Sequence, residues 1–124
     1  MTRSRKSAKS AGTAHETNIA SYLASALGDD RIERRARNGA KDRGDISGVR
    51  TALGERVVIE AKDYGGQIKA AEWVKEAHVE AGNDDAPVGV VVAKRRGTTN
   101  PADQYVITTL GDLVVLLGGR KEPK

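Results

Sequence analysis

The sequence predicts one α/β domain, and three features carry that expectation. Residues 57–62 (V-V-I-E-A-K) and 88–93 (V-G-V-V-V-A) are apolar runs of strand length. Between them, residues 67–81 repeat apolar side chains at helical spacing. Strand, helix and strand over this distance form the pattern of a right-handed parallel crossover. A chain of 124 residues suits a single modest core.

The elements follow from the N-terminus. Residues 1–12 hold Arg3, Arg5, Lys6 and Lys9, no acid and nothing to bury, so a mobile basic arm is expected. Thr13-Ala14-His15-Glu16 reads as a capping box that opens a helix. Ile19, Tyr22, Leu23, Ala26 and Leu27 would form its buried face, and Gly28 its stop. Residues 31–37 read as a first strand with Ile32 and Ala36 inward, followed by a turn at Asn38-Gly39. Gly44 to Val49 reads as a second strand. The connection 50–54 is of hairpin length, so this strand should pair antiparallel with 57–62. The helix over 67–81 would bury Ile68, Ala71, Val74, Ala77, His78 and Ala81, and turn Lys69, Glu72, Lys75, Glu76 and Glu80 to solvent. After the strand at 88–93 come a basic loop at 94–97, a short strand at 105–107 and a helix over 110–117 capped by Thr109. The domain is expected to span 13–118, with a polar tail at 119–124.

Composition removes several function classes. The absence of cysteine excludes disulfides and thiolate–metal centres. His15 and His78 lie too far apart for a zinc-ligand pair and are expected to be structural or exposed. No apolar run approaches the roughly 20 residues of a membrane span, and no apolar segment of signal-peptide type follows the basic N-terminus. A cytoplasmic protein with no membrane partner is expected.

The net charge of +4 is unevenly placed. Residues 31–50 carry seven basic residues against three acids, and residues 55–85 four against eight. Such polarity suits an anionic partner, most simply nucleic acid, or equally a set of solvated faces. Candidates for contact with a phosphate backbone are Arg34, Arg35, Arg37, Lys41, Arg43, Lys94, Arg95 and Arg96. Tyr22, Tyr64, Trp73 and Tyr105 are too few for a base-stacking platform, which favours recognition of shape and backbone charge.

Chemistry gathers at the end of the 57–62 strand. A period of two puts Val58, Glu60 and Lys62 on one face. Burying a carboxylate and an ammonium there is costly unless they pair or bind something. Gly44-Asp45 offers a second acid at the start of the neighbouring strand. Two acids and a lysine converging on a sheet suit a hard divalent cation and a phosphodiester.

Glu16, Gly44-Asp45 and Glu60-Ala61-Lys62, in the element order αβββαβ, resemble the PD-(D/E)XK nuclease superfamily. Within it, the chain is most similar to small archaeal-type and phage Holliday-junction resolvases. The resemblance covers about residues 13–117. Gly44 stands where the motif has its proline, and Gln67, opening the next helix, also fits.

The resemblance implies a restriction-endonuclease-like core, a mixed sheet flanked by helices. It implies Mg²⁺, or Mn²⁺, held by Asp45, Glu60, the Ala61 carbonyl and Glu16. Lys62 would orient or deprotonate the attacking water, and Gln67 would position either. Lys62 would titrate lower beside a metal and higher beside two carboxylates, and the residues alone do not choose. The implied activity is hydrolytic, symmetric nicking of four-way DNA junctions by a homodimer. A sister nuclease cutting flaps, nicks or duplex, and a non-catalytic DNA-binding module, share these features. Leu110, Leu113, Val114, Leu116 and Leu117 suit either a dimer contact or packing on the sheet.

Overall fold

The computed structural model describes residues 4–35 and 41–121. The elements are helix α1 (Arg5–Leu27), strands β1 (Glu33–Arg34), β2 (Ile46–Ser47) and β3 (Val57–Lys62), helix α2 (Ala70–Asn83), strands β4 (Val88–Ala93) and β5 (Tyr105–Ile107), and helix α3 (Leu110–Leu116). A 3-10 turn at Pro101–Asp103 precedes β5. The strands form one mixed sheet in sequential order. β3 and β4 run parallel, Glu60 opposite Val91, and every other neighbouring pair is antiparallel. This is the expected α/β domain, with β2 and β3 paired antiparallel and α2 joining two parallel strands.

The sheet separates two apolar layers because successive strand residues face opposite ways. Val57, Ile59, Val88, Val90 and Val92 pack with Ile19 and Ala20 of α1 and with Val115 of α3. On the other face, Val91 and Ala93 pack with Trp73 and Ala77 of α2. Val58, Glu60 and Lys62 share this second face, so α2 is the helix that covers the charged end of β3.

Both long helices present a different stripe from the expected one. In α2 the buried residues are Trp73, Ala77, Glu80 and Ala81, whereas Ile68 and Ala71 are exposed. Trp73 is only 1% exposed, and its bulk decides which way the helix turns. In α1 the buried residues are His15, Ile19 and Ala20, with Tyr22, Ala26 and Leu27 exposed. His15 Nε2 donates to the carbonyl of Val92 at 3.0 Å, so this histidine ties α1 to the sheet.

The start of α1 also corrects the reading of an N-terminal arm. Ser4 is the N-cap, accepting from Ser7 N at 3.0 Å, and residues 5–12 are helical. Thr13 therefore lies inside a helix and caps nothing. The early turns contain Arg, Lys, Ala and Ser, which need no buried face to extend a helix already anchored further on. The first strand is shorter than expected, with only Glu33 and Arg34 paired. Ala36 and the Asn38-Gly39 turn lie outside the described residues. In the tail, Lys121 is engaged with Asp112 at 2.8 Å. Thr109 caps α3 as expected, its side chain accepting from Asp112 N. Among the described residues no helix is long and apolar enough to cross a membrane.

Gly89 sets how closely α2 lies on the sheet. A Cβ there would stand 2.5 Å from the Ala77 carbonyl oxygen and 3.3 Å from Ala81 Cβ. Gly89→Ala is therefore expected to push α2 outward and cost about 1–3 kcal/mol. Urea unfolding checks this as a lower midpoint with an unchanged slope.

Candidate active site

The geometry of the site starts with Gly44. Its φ of +95° favours glycine, and a Cβ would lie 2.8 Å from Val58 Cγ1 and 3.2 Å from the Ile59 carbonyl oxygen. This close passage brings Asp45 against β3. Asp45 N donates to the Ile59 carbonyl at 2.8 Å, and Asp45 Oδ2 accepts from Ala61 N at 2.8 Å. The carboxyls of Asp45 and Glu60 are also within hydrogen-bonding reach of each other. Asp45 and Glu60 are thus brought together, and Ala61 meets Asp45 through its backbone N–H, whereas the resemblance implied a role for its carbonyl.

Two further acids join them that the sequence reading missed. Ligand oxygens of Asp42, Glu60 and Glu80 all lie within 4.8 Å of one another. Asp42 comes from the loop before β2, where its Oδ1 accepts from Gly44 N at 3.0 Å. Its carbonyl accepts from Asn83 Nδ2 at the end of α2, which ties the loop to the helix. Glu80 belongs to α2, was expected on the solvent face, and is 4% exposed. Its place on the stripe of Trp73, Ala77 and Ala81 is the signal that would have found it. Among the described residues the groups within hydrogen-bonding reach of Glu80 are themselves carboxyls, those of Glu60 and Asp42, and no N–H meets either of its oxygens. A buried carboxylate without a donor is expensive unless it is protonated or meets a cation.

The electrostatics follow from this crowding. Burial pushes Asp45 up to about 8, reinforced by Glu60. Burial likewise raises Glu60 to about 8, and Glu80 adds to the shift while contact with Asp45 and the charge of Lys62 oppose it. Burial raises Glu80 to about 7, with Asp42 adding and Glu60 opposing. The acids cannot all ionise together without a counter-charge. An all-oxygen donor set at this spacing fits a hard divalent cation such as Mg²⁺ or Mn²⁺.

Lys62 sits beside the acids, with its Nζ 2.7 Å from Glu76 Oε2. Burial lowers its affinity for the proton, but the Glu76 hydrogen bond and the charges of Glu60 and Glu76 outweigh this, and the net shift is upward. The lysine is thus an ammonium at neutral pH. Glu76, expected on the solvent face with Glu80, holds it in place. Asp42, Glu60, Lys62, Glu76 and Glu80 line an open cleft of about 410 Å³.

Two expected site residues are not brought into the cluster. Glu16 is bound to Arg34 Nε at 2.7 Å, because α1 covers the face of the sheet that carries Val57 and Ile59. Gln67 is exposed in the loop ahead of α2, which begins only at Ala70. Among the described residues the clustered acids are Asp42, Glu60 and Glu80, without Glu16. Among the basic candidates, Arg34 pairs with Glu16 and Arg35 with Asp84, while Lys41 and Arg43 are exposed. Arg37 lies outside the described residues. Lys94 donates to the carbonyls of Arg95 and Thr98, Arg95 to that of Asp103, and Arg96 to that of Gly65. Lys94 and Arg95 thus hold their own loop together, and Arg96 ties it to the loop after β3. No protein-family model, curated protein or solved structure matches the chain.

Proposed function

We propose that the chain is a metal-dependent endodeoxyribonuclease of PD-(D/E)XK type, acting in the cytoplasm on branched DNA and most simply resolving four-way junctions. The observation that carries this reading is the convergence of Asp42, Asp45, Glu60 and Glu80 beside the ammonium of Lys62. The set adds Asp42 and Glu80 to the expected Asp45 and Glu60, and replaces Glu16.

Asp42, Glu60 and Glu80 would hold the cation. When bound, Mg²⁺ or Mn²⁺ supplies charge neutralisation at the phosphate and a more acidic water. Asp45, fixed by Ala61 N–H and within hydrogen-bonding reach of Glu60, would orient that carboxylate rather than ligate the cation as the resemblance implied. Lys62, held beside the acids by Glu76, is suited to donate to the charge that develops on the phosphate oxygens. Leu110, Leu113 and Leu117 are exposed by 77%, 43% and 79% and support a homodimer contact, while Val115 and Leu116 pack on the sheet.

The test is a nicking assay on a synthetic four-way junction with Mg²⁺, beside linear duplex, flap and single strand. Paired symmetric nicks near the branch point are the expected result. Cutting confined to flaps or duplex would move the chain to a sister nuclease. Binding without cutting in Mg²⁺ or Mn²⁺ would make it a DNA-binding module.

A further inference from the structure

A second concavity lies beside the acid cleft. It encloses about 600 Å³ between the loop before β2, the β2–β3 hairpin and the end of α2. Six of its lining residues are cationic and three acidic, a formal excess of three positive charges. The acids cannot offset this locally. Buried Asp84 is shared by two guanidinium groups, Arg35 at 3.3 Å and Arg56 at 3.9 Å. Arg50 stands opposite Arg56 across the hairpin and donates from Nη1 to the Gly54 carbonyl. A guanidinium carries five N–H donors, so most of those on Arg50 are left for a ligand. Arg43 and Lys41 stand exposed at the rim. Asp42 lines both this groove and the acid cleft, so the two adjoin at that residue.

We infer that this groove seats the sugar–phosphate backbone of a nucleic-acid strand, with Arg43 and Arg50 contacting phosphates next to the one presented to the acids. Guanidinium groups suit this role because their planar fork matches two phosphate oxygens at once. The open, polar form and the spread of cations along it suit a polyanion better than a single small anion. The groove brings in Arg50 and Arg56, which charge counting along the chain did not single out. The inference rests on the nuclease reading only for the position of the scissile phosphate; strand binding itself is separable from cleavage.

The test measures binding of a labelled duplex and a labelled four-way junction by fluorescence anisotropy in EDTA, with cleavage in Mg²⁺ read separately. Arg43→Ala/Arg50→Ala should weaken binding about tenfold near 0.1 M salt and make the salt dependence shallower by about two in the log–log slope. Arg43→Lys/Arg50→Lys should recover most of that slope. Lys6→Ala/Lys9→Ala removes the same charge from exposed turns of α1 and should change affinity less. Equal losses in the two alanine pairs, or no loss in the first, would overturn the groove and leave the nuclease reading standing if junctions are still cut. Displacement of the strand by inorganic phosphate at matched phosphate concentration would overturn it in favour of a small-anion pocket. Groove-dependent binding with no cutting in Mg²⁺ or Mn²⁺ would sustain the groove and defeat the nuclease reading.

Discussion

Glu60→Gln is expected to abolish metal-dependent cleavage and at the same time raise the melting temperature of the metal-free protein. The loss should be about a thousandfold in rate, or about 4 kcal/mol, as for removal of one group that balances transition-state charge. The gain in stability has the opposite origin. Glu60 is 7% exposed and is raised to about 8, first by burial and then by Glu80. Its unfolded carboxyl titrates near 4.3. Between these values the folded chain holds more protons than the unfolded one, so stability falls as pH rises from about 4 to about 8. Glutamine does not titrate and escapes that fall. Near pH 8 the variant should be more stable by about 2 kcal/mol, or about 8 °C, with the difference vanishing below about pH 4. Excess Mg²⁺ should reverse the order, because it stabilises only the parent and does so more strongly as the acids ionise. Thermal melts in EDTA and in Mg²⁺ at several pH values check all three statements. A variant less stable than the parent in EDTA near pH 8 would show that Glu60 is already compensated and needs no cation.

That opposition between stability and chemistry explains which parts of the site could be read from sequence. Glu60 and Lys62 stand at the end of an apolar run, where a charge demands an account, and Asp45 opens the neighbouring strand. Asp42 and Glu80 interrupt nothing. Asp42 sits in a polar loop, and Glu80 belongs to a helix surface rich in charge. Their role depends on where α2 crosses the sheet, which is set by Trp73 packing and by the close approach permitted at Gly89. Placing Ile68, Ala71 and Val74, rather than Trp73, on one stripe with Ala77 turned Glu76 and Glu80 outward. The strands β3 and β4 were legible because continuous valine-rich runs admit few other readings. The early turns of α1 were not, because a helix without apolar residues leaves no periodicity to detect. Glu16 owed its expected role to the resemblance alone; it lies well inside a 23-residue helix and pairs with Arg34.

Asp112→Ala is expected to cost about 3–5 kcal/mol, the largest stability loss argued for any single residue of this chain. Asp112 is 1% exposed at the start of α3. Its Oδ2 accepts from Gly89 N and from His78 Nε2, each at 2.9 Å, and its Oδ1 lies 2.8 Å from Lys121 Nζ. One carboxylate thus joins α3, the middle of the sheet, α2 and the tail. Alanine would leave the Gly89 N–H buried without an acceptor and remove the partner of two further groups. The melting temperature should fall by about 15 °C. Asp112→Asn keeps an acceptor for Gly89 and should lose about half as much, which separates hydrogen bonding from charge. Burial works to raise the Asp112 pKa, but the Lys121 and Gly89 hydrogen bonds outweigh it and hold the carboxyl below its usual range. A lowered folded-state value means that the charge contribution is complete above about pH 4 and is lost as pH falls through the folded pKa. The gap between the parent and Asp112→Asn should therefore close in acid, whereas the gap to Asp112→Ala should narrow without closing. Lys121 is 45% exposed, so solvent screens its share, and Lys121→Ala should cost no more than about 1 kcal/mol. A loss for Lys121→Ala equal to that for Asp112→Ala would mean that the ion pair with the tail, rather than the Gly89 N–H, carries the stabilisation.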